Sequence, residues 1–277
     1  MPFVAILGAG DLGGALTYTL ASRARFDEVR LIDPAGTVAV GKALDIRQAG
    51  PADGSSTRVT GHADLAATAG AWVVVLADPL ASKDGTPQPL DALLTHVTRV
   101  TPGAVVVCAD ATHGPLLPRL VGGGVCSPEL LVGSAPAAIA SAACALLALA
   151  CRTSPATVHV RVTSSTASPA PVVDWNQSSV RGHAAADLLT RDQRDRLDHQ
   201  LSQAWPPGPL TLASAAARCA EAAWFGTRRP QPAWVVDRGL IGRQRVVTAG
   251  PASSGAAVVL DVVFDPGGHV RSPEDAA

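Results

Sequence analysis

Apolar and polar positions alternate along this chain in two distinct ways. In the first half, short continuous apolar runs are separated by stretches with helical spacing. Phe3–Leu7 reads as a buried strand and Leu12–Ala24 as a helix, followed by a strand at Glu28–Asp33 and a helix start at Ala39–Gln48. Ser56–His62 is a short polar strand, Ala71–Ala77 a third buried strand, Leu90–Val100 a helix and Ala104–Ala109 a further apolar strand. Continuous apolar strands interleaved with helices predict a parallel sheet covered on both faces.

The second half has a different rhythm. Ala135–Cys151 predicts a long helix, and Thr157–Ser164 alternates as a half-buried strand does. Asp174, Trp175 and Asn176 form a polar cluster expected on a helix. Asp187–Trp205 places charges on one face and Leu188, Leu189, Leu197 and Leu201 on the other, which predicts one amphipathic helix. Leu210–Phe225 is helical, and three Gly-bounded apolar runs after it read as closing antiparallel strands. The Pro/Gly-rich tail after Phe264 is expected to fray. The predicted architecture is α/β: a Rossmann-type doubly wound parallel sheet over residues 1–132, followed by a smaller α+β domain over 133–277.

The first strand–helix junction carries chemistry. Gly8-Ala9-Gly10-Asp11-Leu12-Gly13 fits G-x-G-x-x-G, follows a strand, opens a helix, and has Asp33 at the end of the next strand. Gly8 permits the tight turn, Gly10 lets a pyrophosphate approach the backbone, and Gly13 lets helix and strand pack closely. The helix N-terminus offers free N–H groups and partial positive charge to phosphates. Asp33 is placed to accept hydrogen bonds from adenosine ribose hydroxyls, and its charge repels a 2′-phosphate, which favours NAD over NADP. Asp11 adds a second carboxylate near that pyrophosphate and is expected to face solvent.

The stretch from Val4 to Pro34 and the following Gly41-Lys42-Ala43-Leu44-Asp45 resemble the malate/L-lactate dehydrogenase family, as do Ala71–Pro79, Leu131–Ala150, Leu212–Arg229 and Gly239–Ala256. The resemblance implies NAD as cofactor and a homo-oligomeric assembly. It adds Asp11, Leu12 and Ala77 to Gly8, Gly10, Gly13 and Asp33 as residues expected around the dinucleotide. The family's long C-terminal helix is not expected in this sequence.

The resemblance also implies catalytic groups that this chain lacks. A hydroxy-acid dehydrogenase anchors a carboxylate with Arg, moves a proton through His, and orients that His with a carboxylate. From Val59 to Thr98 there is no Arg, and the loop's only cation is Lys83. Ile139 and Ala142 stand where the family helix has Asp and Arg. Ser165, Thr166 and Ala167 stand at its His-Gly-Asp loop, and Asp110-Ala111 at its Asn-Pro. The expectation is an NAD(H)-binding homologue without ordinary hydroxy-acid dehydrogenase activity and without assignable catalytic residues. An active oxidoreductase with altered substrate and catalytic groups is the first alternative, and a structural or interaction protein on the same fold the second. His96, His113, His159 and His183 are the replacement bases to consider. His113 reads as a surface-loop residue after a strand end, and His183 as a turn residue.

Composition narrows the classes further. The net charge is −1 with no basic run, which gives no reason to expect nucleic acid or an anionic membrane as partner. No leader-like segment and no membrane span are evident. Five Cys without a C-x-x-C pair predict reduced, buried thiols in a cytoplasmic protein. No spacing suggests a metal site.

Overall fold

The computed structural model describes residues 3–81, 86–164, 170–227, 229–236 and 257–273. In chain order the elements run β1 (Val4–Leu7), α1 (Asp11–Arg23), β2 (Glu28–Ile32), α2 (Gly36–Asp53), β3 (Arg58–His62), β4 (Val73–Leu76), α3 (Leu90–Val100), β5 (Val105–Cys108), α4 (Leu117–Gly122) and β6 (Leu131–Gly133). They continue with α5 (Ala135–Ala150), β7 (Val158–Thr163), β8 (Val172–Val180), β9 (His183–Ala184), α6 (Ala185–Leu188), α7 (Arg191–Gln203), α8 (Pro209–Phe225), β10 (Gln231–Val236), β11 (Ala257–Phe264) and β12 (Val270–Arg271).

The predicted parallel sheet is present. Strands β3-β2-β1-β4-β5-β6 lie side by side and parallel, the doubly wound order in which the chain reverses direction of growth between β1 and β4. β1, β4 and β5 are buried along their whole length, as their unbroken Val, Ile and Leu runs require. The closing strands do not form a separate sheet. β10 pairs antiparallel with β6 through Trp234 and Gly133, and β11 and β12 extend the same sheet outward. A smaller antiparallel sheet, β7-β8-β9, stands apart, and Trp175, Val180, Leu189, Leu197 and Leu201 pack it against α5 and α7.

Three sequence expectations are corrected. Asp174, Trp175 and Asn176 lie in β8, not in a helix. β8 pairs with β7 across a register shift, and within it Trp175 turns in and donates its Nε1–H to Asp198 at 2.9 Å while Asn176 and Gln177 face out. The single amphipathic helix over 187–205 is two helices. Thr190 interrupts it with a capping box, its side chain taking the Gln193 N–H while Gln193 reaches back to the Thr190 N–H. The tail after Phe264 is tied down through Arg271. Asp265 accepts the N–H groups of Gly267 and His269, each at 2.9 Å, and β12 pairs with β11. The expected strand over 243–250 lies outside the described residues.

Among the described residues no helix is long and apolar enough to cross a membrane. Cys108, Cys126 and Cys219 are buried free thiols. Burial pushes the last two up to about 11 and about 12, so they stay protonated and inert.

Candidate functional site

Open α/β sheets bind ligands outside the carboxyl ends of their strands where the winding reverses. Here that place is the crevice between β1 and β4. The glycine loop follows β1 directly, and three charged side chains brace it. Asp33, one residue past β2, accepts the Ala9 N–H at 2.8 Å through one oxygen and the Ala35 N–H at 2.9 Å through the other. Lys42, from α2, donates its Nζ to the Gly10 carbonyl at 2.6 Å. Asp78, past β4, accepts the N–H of Leu12 at 3.2 Å and of Gly13 at 2.6 Å.

The glycines are required by this packing. Gly8 has a φ of 97°, in the left-handed region, and a Cβ on it would meet the Asp78 backbone at 2.5 Å. A Cβ on Gly13 would run into the Gly8 carbonyl. A Cβ on Gly10 would lie 2.5 Å from the Asp78 carboxyl carbon. Gly8, Gly10, Leu12, Gly13 and Asp33, expected together from the sequence, are therefore brought together. Ala77 is fully buried and continues the strand by donating its N–H to the Leu7 carbonyl. Asp11 is exposed in the first turn of α1.

Beside the loop lies a cavity of about 670 Å³ lined by Ala9, Gly10, Asp33, Gly36, Val38 and Asp78, among others. It runs along the ends of β1, β2 and β4.

Sequence reasoning missed Asp78. The contact follows from the parallel register, which the sequence alone does not give. Leu7 pairs with Leu76, so the residue two past Leu76 must lie level with Ala9 in the glycine loop. From there the Asp78 carboxylate reaches the amides of Leu12 and Gly13.

The place for catalytic groups is different in character. Ile139 is fully buried in the main core, and Ala142 packs into the second one. Of the α5 positions at which the resemblance implies a charged pair, Ile139 is thus part of the hydrophobic core and Ala142 lies half-buried against the smaller cluster. Residues 165–167 and Lys83 lie outside the described residues. His96 sits on α3 beside Arg99, 3.2 Å from its guanidinium, and His159 and His183 are exposed on the smaller sheet.

His113 is not a surface residue. It is only 8% exposed, in a short 3₁₀ turn after β5, and its Nδ1 has no hydrogen-bond partner. The turn is set by Asp110, whose carboxylate accepts the Thr112 N–H at 2.7 Å. Gly114 beside it lies against the Trp234 ring, with 2.9 Å left for a Cβ. Burial holds the His113 imidazole below the usual histidine range, and the nearby Asp110 and Asp78 oppose that shift without cancelling it. No group of His, Cys, Asp and Glu among the described residues is arranged to hold a metal ion.

No protein-family model matches the chain. A malate dehydrogenase of Neorickettsia sennetsu is 38% identical over 82 residues, which is 30% of this chain and 26% of that protein. A malate dehydrogenase of Roseiflexus is 32% identical over 118 residues, covering 39% of this chain and 38% of the relative. The matched stretches thus span about a quarter and about two fifths of those relatives. Solved structures match over nearly the whole chain. The lactate dehydrogenase of Cryptosporidium parvum, in complex with lactic acid and nicotinamide adenine dinucleotide, superposes with a TM-score of 0.80 at 20% identity, covering 98% of this chain and 90% of that one. The malate dehydrogenase of Salinibacter ruber gives 0.75 at 18% identity, covering 98% and 89%.

Proposed function

We propose that this chain, a relative of the malate and lactate dehydrogenases that carries their fold, binds NAD(H) and does not perform ordinary hydroxy-acid dehydrogenation. The observation that carries the binding half is Asp33, held by the Ala9 and Ala35 amides at the rim of an open cavity beside an intact glycine loop. A carboxylate has about four lone-pair sites, so two amide bonds leave acceptor capacity for ribose hydroxyls. The adenosine end of a dinucleotide therefore fits these residues. The pyrophosphate end fits only if the Asp78 carboxylate leaves the amides of Leu12 and Gly13. When bound, a nicotinamide cofactor supplies hydride transfer. What this chain's own residues supply is a seat for it.

The second half of the proposal rests on α5. A buried Ile139 and a packed Ala142 offer neither a carboxylate to orient a base nor a guanidinium to grip a substrate acid. Loss of acid–base help alone costs about 10²–10⁴ in rate. Titrating NADH fluorescence against the protein tests binding, and the absence of a saturable signal overturns it. Assaying NAD reduction with malate and lactate tests the loss, and clear turnover with either overturns that.

One observation favours an active enzyme with altered groups: His113 is a buried imidazole, held below the usual histidine range by burial, with an unpartnered nitrogen near Asp110 and Asp78 at the sheet's carboxyl edge. On that reading a His113→Gln change abolishes turnover of whichever alcohol substrate a screen reveals. The resemblance further points to a homo-oligomer, which sedimentation of the purified chain tests.

A further inference from the structure

The amides that open α1 are not free. A carboxylate carries a negative charge and two acceptor oxygens, which is what a helix N-terminus otherwise takes from a phosphate. Asp78 supplies both: its two oxygens sit on Leu12 N and Gly13 N, and its carboxyl carbon lies over Gly10, the position whose missing side chain makes room for a ligand. The main chain of Asp78 closes over Gly8 in the same way. β4 enforces this placement, because its register with β1 delivers residue 78 to the loop and the Ala77 N–H bond to Leu7 locks the last step. Beyond the carboxylate, the cavity along Asp33, Gly36 and Val38 stays open.

Resting on the dinucleotide reading above, we propose that Asp78 is a built-in occupant of the phosphate seat, so that it sets this chain's preference between phosphate-free and phosphate-bearing nucleosides. A pyrophosphate and the Asp78 carboxylate cannot share the same two donors, and their charges repel. A dinucleotide binds only with the Asp78 side chain turned out of the seat. A nucleoside without phosphates uses the open part of the cavity and leaves Asp78 in place. The residue acts by excluding or admitting the ligand's phosphates, not by chemistry on them.

The test uses the full chain, its Asp78→Ala and Asp78→Asn variants, and calorimetric titration with adenosine, ADP-ribose and NADH. Asp78→Ala should tighten ADP-ribose and NADH by about tenfold or more, the scale of one displaced charge-assisted hydrogen bond, with adenosine changed by less than about twofold. Asp78→Asn keeps the shape, removes the charge, and should fall between; it also carries the test if the alanine variant does not fold. Measurable NADH binding that is equal in all three proteins overturns the inference and leaves the cofactor reading standing. Parallel changes for adenosine and ADP-ribose overturn it in favour of a merely structural Asp78. No binding of ADP-ribose or NADH by any of the three overturns both readings.

Discussion

The Asp33 carboxylate holds the Ala9 amide at 2.8 Å, so the acid just past β2 also fixes the loop that follows β1. One side chain thereby joins two neighbouring strands at the crevice, and its second oxygen holds the first turn after β2 through Ala35. Replacing it removes an anion at the cavity rim and leaves two amides without their acceptor. An Asp33→Ala variant should lose about 1–3 kcal/mol in urea unfolding. It should also narrow the gap between NADH and NADPH affinity, because the charge that repels a 2′-phosphate is gone. Parallel titrations of the two cofactors read that ratio, and an unchanged ratio contradicts the assigned role of Asp33.

Glycines in this chain divide by what surrounds them. A methyl group on Gly13 meets the Gly8 carbonyl, a backbone atom that cannot step aside, whereas one on Gly41, in the middle of α2, meets nothing within 4 Å. Gly13→Ala should therefore destabilise the protein by well over about 2 kcal/mol, through overpacking and strain. Gly41→Ala should stabilise it by about 0.5–1 kcal/mol, the helix-propensity difference between the two residues. Opposite shifts of the thermal midpoint in the two variants check both.

The parallel half of the sheet was legible because its determinants are local: apolar runs of strand length, helical spacing between them, and glycines at one junction. The glycine loop and the acid that braces it were legible for the same reason, since Gly8 to Gly13 and Asp33 belong to one βαβ unit. What escaped depends on contacts distant in sequence. Asp78 meets α1 across more than sixty positions, through a strand register that no local pattern encodes. Thr112-His113-Gly114 has the composition of a surface turn, yet Trp234 from β10 lies on Gly114 and this corner is buried. Asp174–Ser179 lacks clean apolar alternation, and it lies in a strand that pairs with β7 at Asp174 and Ser179 across a register shift. β10 to β12 join the first sheet because β6 presents a free edge to Trp234, a pairing that propensity cannot specify.

The buried His113 makes stability depend on pH. Its folded-state pKa is depressed by burial, and the unfolded chain titrates near the ordinary value of 6.5. Above that value both states are neutral there and nothing is lost. As pH falls below it, the unfolded chain takes up the proton first, so stability drops until the lower folded pKa is passed. His62 is also depressed, by burial and by Arg30, and acts in the same window with the same sign. Carboxylates such as Glu28 titrate in a lower range. Urea unfolding between about pH 7 and 5 should show this decline, and His113→Gln should flatten it in part, with His62 responsible for the remainder. An identical slope in the variant means that His113 is solvated.

Glu221, on α8, faces Arg23 at 3.2 Å and Arg25 at 3.5 Å at the end of α1, the helix whose other end closes the candidate site. The carboxylate is nearly buried, but the arginine side chains are 31% and 58% exposed. Two effects compete. A fully buried pair broken on one side costs about 3–5 kcal/mol, whereas an exposed pair is worth about 0–1 kcal/mol. Because both arginines keep contact with water, and Arg25 also rests on the Phe225 ring, losing the carboxylate strands no buried cation. Glu221→Gln should therefore cost only about 1 kcal/mol at low salt. The gap from the unmodified chain should shrink in about 1 M salt, where the Debye length is about 3 Å. A loss of about 3 kcal/mol that salt does not change would show instead that the α1–α8 contact excludes water from the ion pair.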